Sequence, residues 1–94
     1  MPSVEGGVLN GRALSKPRPE YPTAALRARE QGTVIVRILV DETGLVLSAC
    51  AEKGPPLLRR PSESAAYNAR FTPTKLSGKP VKVTGIITYN YVLQ

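Results

Sequence analysis

The clearest pattern along the chain is a two-residue alternation. Thr33 to Val40 is apolar and mostly β-branched, with Val34, Val36, Ile38 and Val40 on one face and Ile35, Arg37 and Leu39 on the other. That run predicts a strand. Asp41-Glu42-Thr43-Gly44 supplies a turn with glycine at its tight position, and Leu45 to Ala51 returns as the second strand of a hairpin. The alternation reappears from Pro80 to Leu93. There Val81, Val83, Ile87, Tyr89, Tyr91 and Leu93 share one face, Lys82, Thr84, Ile86, Thr88, Asn90 and Val92 the other, and Gly85 interrupts the apolar side as a bulge or bend.

Two stretches read as helices instead. Pro17, Pro19 and Pro22 forbid helix before Pro22, which suits a first helical turn. Thr23 to Gln31 is then built of good helix formers, with Ala24, Ala25 and Ala28 on a small face and Gly32 as the stop. Gly54-Pro55-Pro56 breaks the pattern, and Ser62 is placed to cap a second helix over Glu63–Ala69. Ser77-Gly78 marks another turn. The order helix-strand-strand-helix-strand predicts an α+β two-layer domain: a three-stranded antiparallel sheet with two short helices on one face. Residues 1–16 carry Gly and Ser without a period and read as a flexible lead-in to a domain over 17–94.

Composition narrows the chemistry. Ninety-four residues make one small domain, and 41% hydrophobic with 21% charged residues is a globular balance. With no His and one Cys, the chain has no His-based triad, no multi-Cys zinc site and no paired redox thiols, so no enzyme activity, cofactor or metal is expected. Ser62 and Ser64 lack a base to activate them. Cys50 reads as a small buried hydrophobe. No run reaches the ~18 apolar residues of a membrane span, and Met1 to Gly7 does not resemble a signal peptide. That leaves a cytoplasmic protein or a piece of a longer one. The net charge of +6 comes from dispersed residues, and the Arg59-Arg60 pair has no aromatic beside it, so no nucleic-acid partner is expected.

Several short motifs, taken together, resemble one family. Pro19-x-Tyr21-Pro22-x-x-Ala25, then Gly32-Thr33-Val34-x-Val36, then Val40-Asp41-x-x-Gly44-x-Val46 follow the pattern of the TonB C-terminal domain, and Ala65-Ala66, Phe71-x-Pro73 and Gly78-x-Pro80-Val81 continue it in order. The resemblance covers residues 17 to 93. The chain departs from it where Leu58-Arg-Arg-Pro61-Ser-Glu-Ser intervenes before Ala65 and where no Trp precedes Phe71.

The resemblance implies a non-enzymatic coupling module of the periplasm, the terminal part of a protein anchored in the inner membrane. Its implied partners are an ExbB/ExbD-like motor, reached through a membrane anchor outside these residues, and the N-terminal TonB box of an outer-membrane transporter. The implied mechanism is β-strand addition, because a sheet edge offers unpaired N–H and C=O groups that an extended peptide satisfies. The last strand is the expected edge, with Val83, Thr84, Gly85, Ile86, Ile87, Thr88, Tyr89, Asn90 and Tyr91 as the docking stretch. Tyr89 and Tyr91 read either as contact residues or as core. By family position, Arg18, Pro19, Glu20 and Tyr21 lie beside the guest; better-known members carry an uncharged polar residue where this chain has Arg18. Tyr21 and Pro22 read equally as anchors of the helix start. Self-pairing through the last strand would give a homodimer. The competing reading is a stand-alone envelope interaction domain of the same fold that binds another peptide or its own copy.

Overall fold

The computed structural model describes residues 3–93. Its elements run β1 (Val4–Val8), a 3-10 turn (Asn10–Arg12), β2 (Ala13–Ser15), α1 (Thr23–Arg27), β3 (Gly32–Val40), β4 (Val46–Lys53), α2 (Pro56–Tyr67), β5 (Arg70–Phe71), β6 (Thr74–Leu76), β7 (Lys79–Val81) and β8 (Val83–Tyr91). The class is α+β. The main sheet has four strands in the order β1-β8-β3-β4, and two small antiparallel pairs, β2-β5 and β6-β7, flank it.

β3 and β8 form the centre of the sheet. They pair antiparallel through nine consecutive positions, Gly32 opposite Tyr91 to Val40 opposite Val83, with no slip. The alternation read from the sequence sets which face is buried: Val34, Val36, Ile38 and Val40 of β3 and Val83, Ile87, Tyr89 and Tyr91 of β8 all point under the helices. β4 adds Ala49 and Ala51, small enough for α2 to settle closely on that side. From α2, Leu58, Ser62, Ala65 and Ala66 face inward at helical spacing, and Phe71 closes one end. The hairpin turn is held by Asp41, whose Oδ1 accepts bonds from the Thr43 and Leu45 amides and the Thr43 hydroxyl. Gly44 has φ of +94°, and a Cβ there would lie 2.0 Å from the Phe71 carbonyl oxygen, so the turn requires glycine.

Several expectations change. The sheet has a fourth strand, drawn from the stretch read as a flexible lead-in: β1 runs parallel to β8, with Val4 opposite Val83 and Val8 opposite Ile86. The last strand is therefore not an edge over its first half. The alternation expected from Pro80 to Leu93 also breaks, because β6 and β7 form a hairpin around the Ser77-Gly78 turn and β8 begins only at Val83.

The first helix is shorter than predicted. It ends in a Schellman motif, with Arg29 at φ 56°, its amide donating to Leu26 and the Glu30 amide to Ala25. The second helix is longer. Pro56 sits in its first turn and Pro61 lies inside it, so Ser62 is a buried mid-helix residue and not a cap. Glu63 accepts from the Ala51 amide of β4 at 2.7 Å. Cys50 is exposed on the open face of the sheet, opposite Arg37, because register assigns it the parity of the solvent side.

Candidate peptide-binding edge

The even-numbered residues of β8 turn their amides and carbonyls away from β3, toward the outer flank. The Lys82 carbonyl accepts from the Val4 amide at 3.0 Å, and the Ile86 carbonyl from the Leu9 amide at 2.8 Å. At Thr88 the main chain of β1 has turned away, and a side chain takes its place. Asn10 Nδ2 donates to the Thr88 carbonyl at 2.9 Å, and the Thr88 amide donates to Asn10 Oδ1 at 3.0 Å. A carboxamide has the donor and acceptor of a peptide group, so Asn10 stands in for one more residue of strand. Beyond it, among the described residues, no strand runs along the outer side of Asn90, the side away from β3. Alternation aims the Asn90 main-chain groups into that gap.

The gap is a groove of about 520 Å³, with Thr88–Val92 on one wall, Lys16–Pro19 on the other, and Asn10 and Tyr21 also lining it. Among the described residues its charged lining consists of Lys16 and Arg18, both exposed, which gives that lining a positive character. The Lys16 ammonium lies 5.4 Å from the centre of the Tyr89 ring, within cation–π range. The opposite border of the sheet is less open: α2 packs along β4, and Glu63 occupies its Ala51 amide.

The tyrosines divide their work. Tyr91 is buried, its hydroxyl bonded to Ser62 at 2.7 Å and its ring edge-on to Tyr21 with centroids 5.3 Å apart. Burial raises its pKa and the neighbouring Tyr21 adds to that, against a lowering by the Ser62 hydrogen bond. Tyr21 anchors the end of α1 by donating to the Glu30 carbonyl. Tyr89 is 4% exposed, and its buried hydroxyl has no partner among the described residues. Burial first, and the nearby Tyr91 second, push its pKa up to about 12.

The structure brings Arg18, Pro19 and Tyr21 together with Thr88, Tyr89, Asn90 and Tyr91 around one groove. It separates the others. Val83, Thr84 and Ile86 lie under or beside β1, Ile87 is fully buried, and Glu20 lines a second cleft of about 250 Å³ against Pro61 and Ser64 of α2. Gly85 is no bulge. It stays in register with Ile38, and the space where its side chain would be is filled by Leu9, whose Cγ would lie 2.7 Å from a Cβ. Sequence reasoning missed Asn10, Lys16 and Val92. Lys16 carried a signal, a cation just ahead of the proline run; Asn10 lies in the stretch read as a flexible lead-in. Among the described residues no group of three His, Cys, Asp or Glu side chains is placed to hold a metal.

Comparison with known proteins places these observations. The family model described as Gram-negative bacterial TonB protein C-terminal matches residues 17–93. Among solved structures, the solution NMR structure of the Pseudomonas aeruginosa TonB C-terminal domain is similar in fold, with a TM-score of 0.70 at 24% identity over 94% of each chain. No curated protein sequence matches the chain.

Proposed function

This chain belongs to the Gram-negative bacterial TonB C-terminal family, and from that premise we propose that it is a periplasmic coupling domain that grips the N-terminal TonB box of an outer-membrane transporter. It does so by strand addition on the outer flank of β8, passing on force from an inner-membrane motor of the ExbB/ExbD kind. The family is one of protein-interaction domains in the envelope, and the reading is of a binding module, not an enzyme.

The observation that carries it is the open half of that flank. The Asn90 main chain faces the groove, while on the opposite border of the sheet α2 packs along β4 and Glu63 takes the Ala51 amide. An added strand satisfies main-chain groups in series, and bonds loaded side by side share a pull among them. β8 is well suited to bear such a load, since its nine-position pairing to β3 carries the pull into the centre of the sheet.

Titration of a synthetic TonB-box peptide into isotope-labelled protein tests the reading. The amides of Thr88, Asn90 and Val92 are expected to shift together with those of Lys16, Arg18 and Tyr21. Shifts confined to β4 or to α2 reject this seat.

A further inference from the structure

The two halves of the outer flank of β8 are in different states: this chain's own β1 lies along the first, and the second is open. The open half is short. Within β8 itself Asn90 alone aims main-chain groups outward there, since the strand ends at Tyr91. A guest confined to it would gain few hydrogen bonds, each of modest net worth in water. The full flank is a far better seat, and β1 holds it loosely. Its register slips between Glu5 and Val8, it contains Gly6 and Gly7, and Val8 is 59% exposed. Glu5 reaches Arg37 only at 3.8 Å between exposed groups, and Arg37 has Glu52 at 3.2 Å as a second partner.

Besides the main-chain bonds to Lys82 and Ile86 and the bond that the Thr84 hydroxyl donates to Glu5 at 3.0 Å, two side chains hold its far end. Leu9 is 1% exposed and fills the notch that Gly85 leaves in the buried face of β8. Asn10 closes both main-chain groups of Thr88. They sit together where β1 ends and the open groove begins.

We propose that Val4–Asn10 is a built-in occupant of the partner's seat. An incoming extended peptide takes the whole flank from Lys82 to Val92 by displacing it, and brings its own large aliphatic side chain to the Gly85 notch. This rests on the strand-addition reading above and adds to it a competitor and a side-chain requirement. Leaving is tolerable for the rest of the fold, since Arg37 keeps Glu52 and β8 keeps its pairing with β3. The vacated notch is what makes an aliphatic guest residue necessary, because an empty apolar hollow forfeits its packing contacts.

The test uses the full chain, with Leu9→Ala and Asn10→Ala as variants. Two probes are needed: a TonB-box peptide, and a synthetic peptide of residues 3–12 of this chain. Saturating TonB-box peptide is expected to abolish hydrogen-exchange protection of the Val4 and Leu9 amides. Leu9→Ala is expected to bind it on the order of tenfold more tightly, since the competent state is no longer held back by its own strand; Asn10→Ala follows in the same direction. A TonB-box peptide that binds with both amides still protected, and equally well in both variants, overturns the proposal while leaving strand addition intact. Should the TonB-box peptide not bind at all, the second probe still decides. Shifts over Val83–Thr88 when residues 3–12 are added to Leu9→Ala support a displaceable occupant, and no shift there overturns it. A Leu9→Ala chain that dimerises by exchanging leaders and ignores the TonB-box peptide overturns the choice of a foreign strand.

Discussion

The hydroxyls of Ser62 and Tyr91 lie 2.7 Å apart in the buried layer between α2 and β8. Ser62 donates to the Leu58 carbonyl one helical turn back, at 2.7 Å, which leaves its oxygen free to accept from Tyr91. The Tyr91 ring in turn meets Tyr21 edge-on, and Tyr21 is tied to the chain end of α1. Both helices are thereby fixed to the last residues of β8, beside the groove.

That arrangement predicts coupled substitutions. Tyr91→Phe is expected to cost about 1–2 kcal/mol, the worth of a buried hydrogen bond lost from one side. Ser62→Ala is expected to cost a similar amount, because the Tyr91 hydroxyl is then left with only a 3.4 Å approach to Leu58. In the double variant the loss should fall short of the sum of the two. Midpoints of urea unfolding measure all three, and strictly additive losses would show that the two hydroxyls do not act together.

Tyr89 is expected to behave in the opposite way. Its buried hydroxyl has no partner among the described residues, so Tyr89→Phe removes a desolvated polar atom and should leave stability at neutral pH equal or higher. The sign with pH follows from its raised pKa. The folded state holds the phenolic proton more tightly than the unfolded chain does, so the contribution is whole below about pH 10 and is lost as pH rises toward about 12. Tyr91 is shifted in the same direction. Unfolding midpoints from pH 9 to pH 12 should therefore fall, and fall less steeply in Tyr89→Phe; parallel slopes would contradict this account.

Gly44→Ala is expected to be among the most damaging single changes, at about 2 kcal/mol or more. It combines an unfavourable positive φ with a clash against the Phe71 main chain, and the Gly44 carbonyl accepts from the Phe71 amide at 3.0 Å. Gly11→Ala is the control, since nothing lies within 4 Å of a Cβ there. Thermal melting of the pair checks it, and a mild effect at Gly44 would mean the turn can rearrange.

These residues also show what a local pattern can reveal. Val34 to Val40 alternates because one face is buried, and Gly44 and Ser77-Gly78 mark turns through backbone chemistry close in sequence, so all three were legible. The strand Val4–Val8 was not. It has two glycines, and it exists because of a partner 79 residues away at Val83 and a notch at Gly85. α2 is longer than the stretch Glu63–Ala69 that its sequence suggests, because Ser62 reads as a cap just after Pro61. Leu58, Ser62, Ala65, Ala66 and Ala69 recur at helical spacing around it, and their packing outweighs the bond that Pro61 cannot make. At the site, the expectation was Arg18–Tyr21 and the whole of Val83–Tyr91, of which only Arg18, Pro19, Tyr21 and Thr88–Tyr91 line the groove. Asn10 escaped notice because a side chain serving as a strand residue leaves no mark on its neighbours.

The positive groove carries the last prediction. Lys16 and Arg18 are exposed and line it with no acidic side chain among the described lining residues, so a guest with a carboxylate beside Asn90 or Val92 gains from both. Solvent screens such contacts, which limits each to a factor of a few in affinity and makes the effect shrink as salt rises. Arg18→Glu is expected to weaken an acidic TonB-box peptide by roughly three- to tenfold at low salt without a change in unfolding midpoint, and the double change with Lys16→Glu by more, with a small fall in midpoint as the Lys16–Tyr89 contact is lost. Arg60→Glu, on the exposed side of α2, alters the net charge equally but lies outside the groove lining. Calorimetric titration at two salt concentrations separates the cases. If Arg60→Glu weakens binding as much as Arg18→Glu does, the attraction belongs to the whole basic domain and not to this groove.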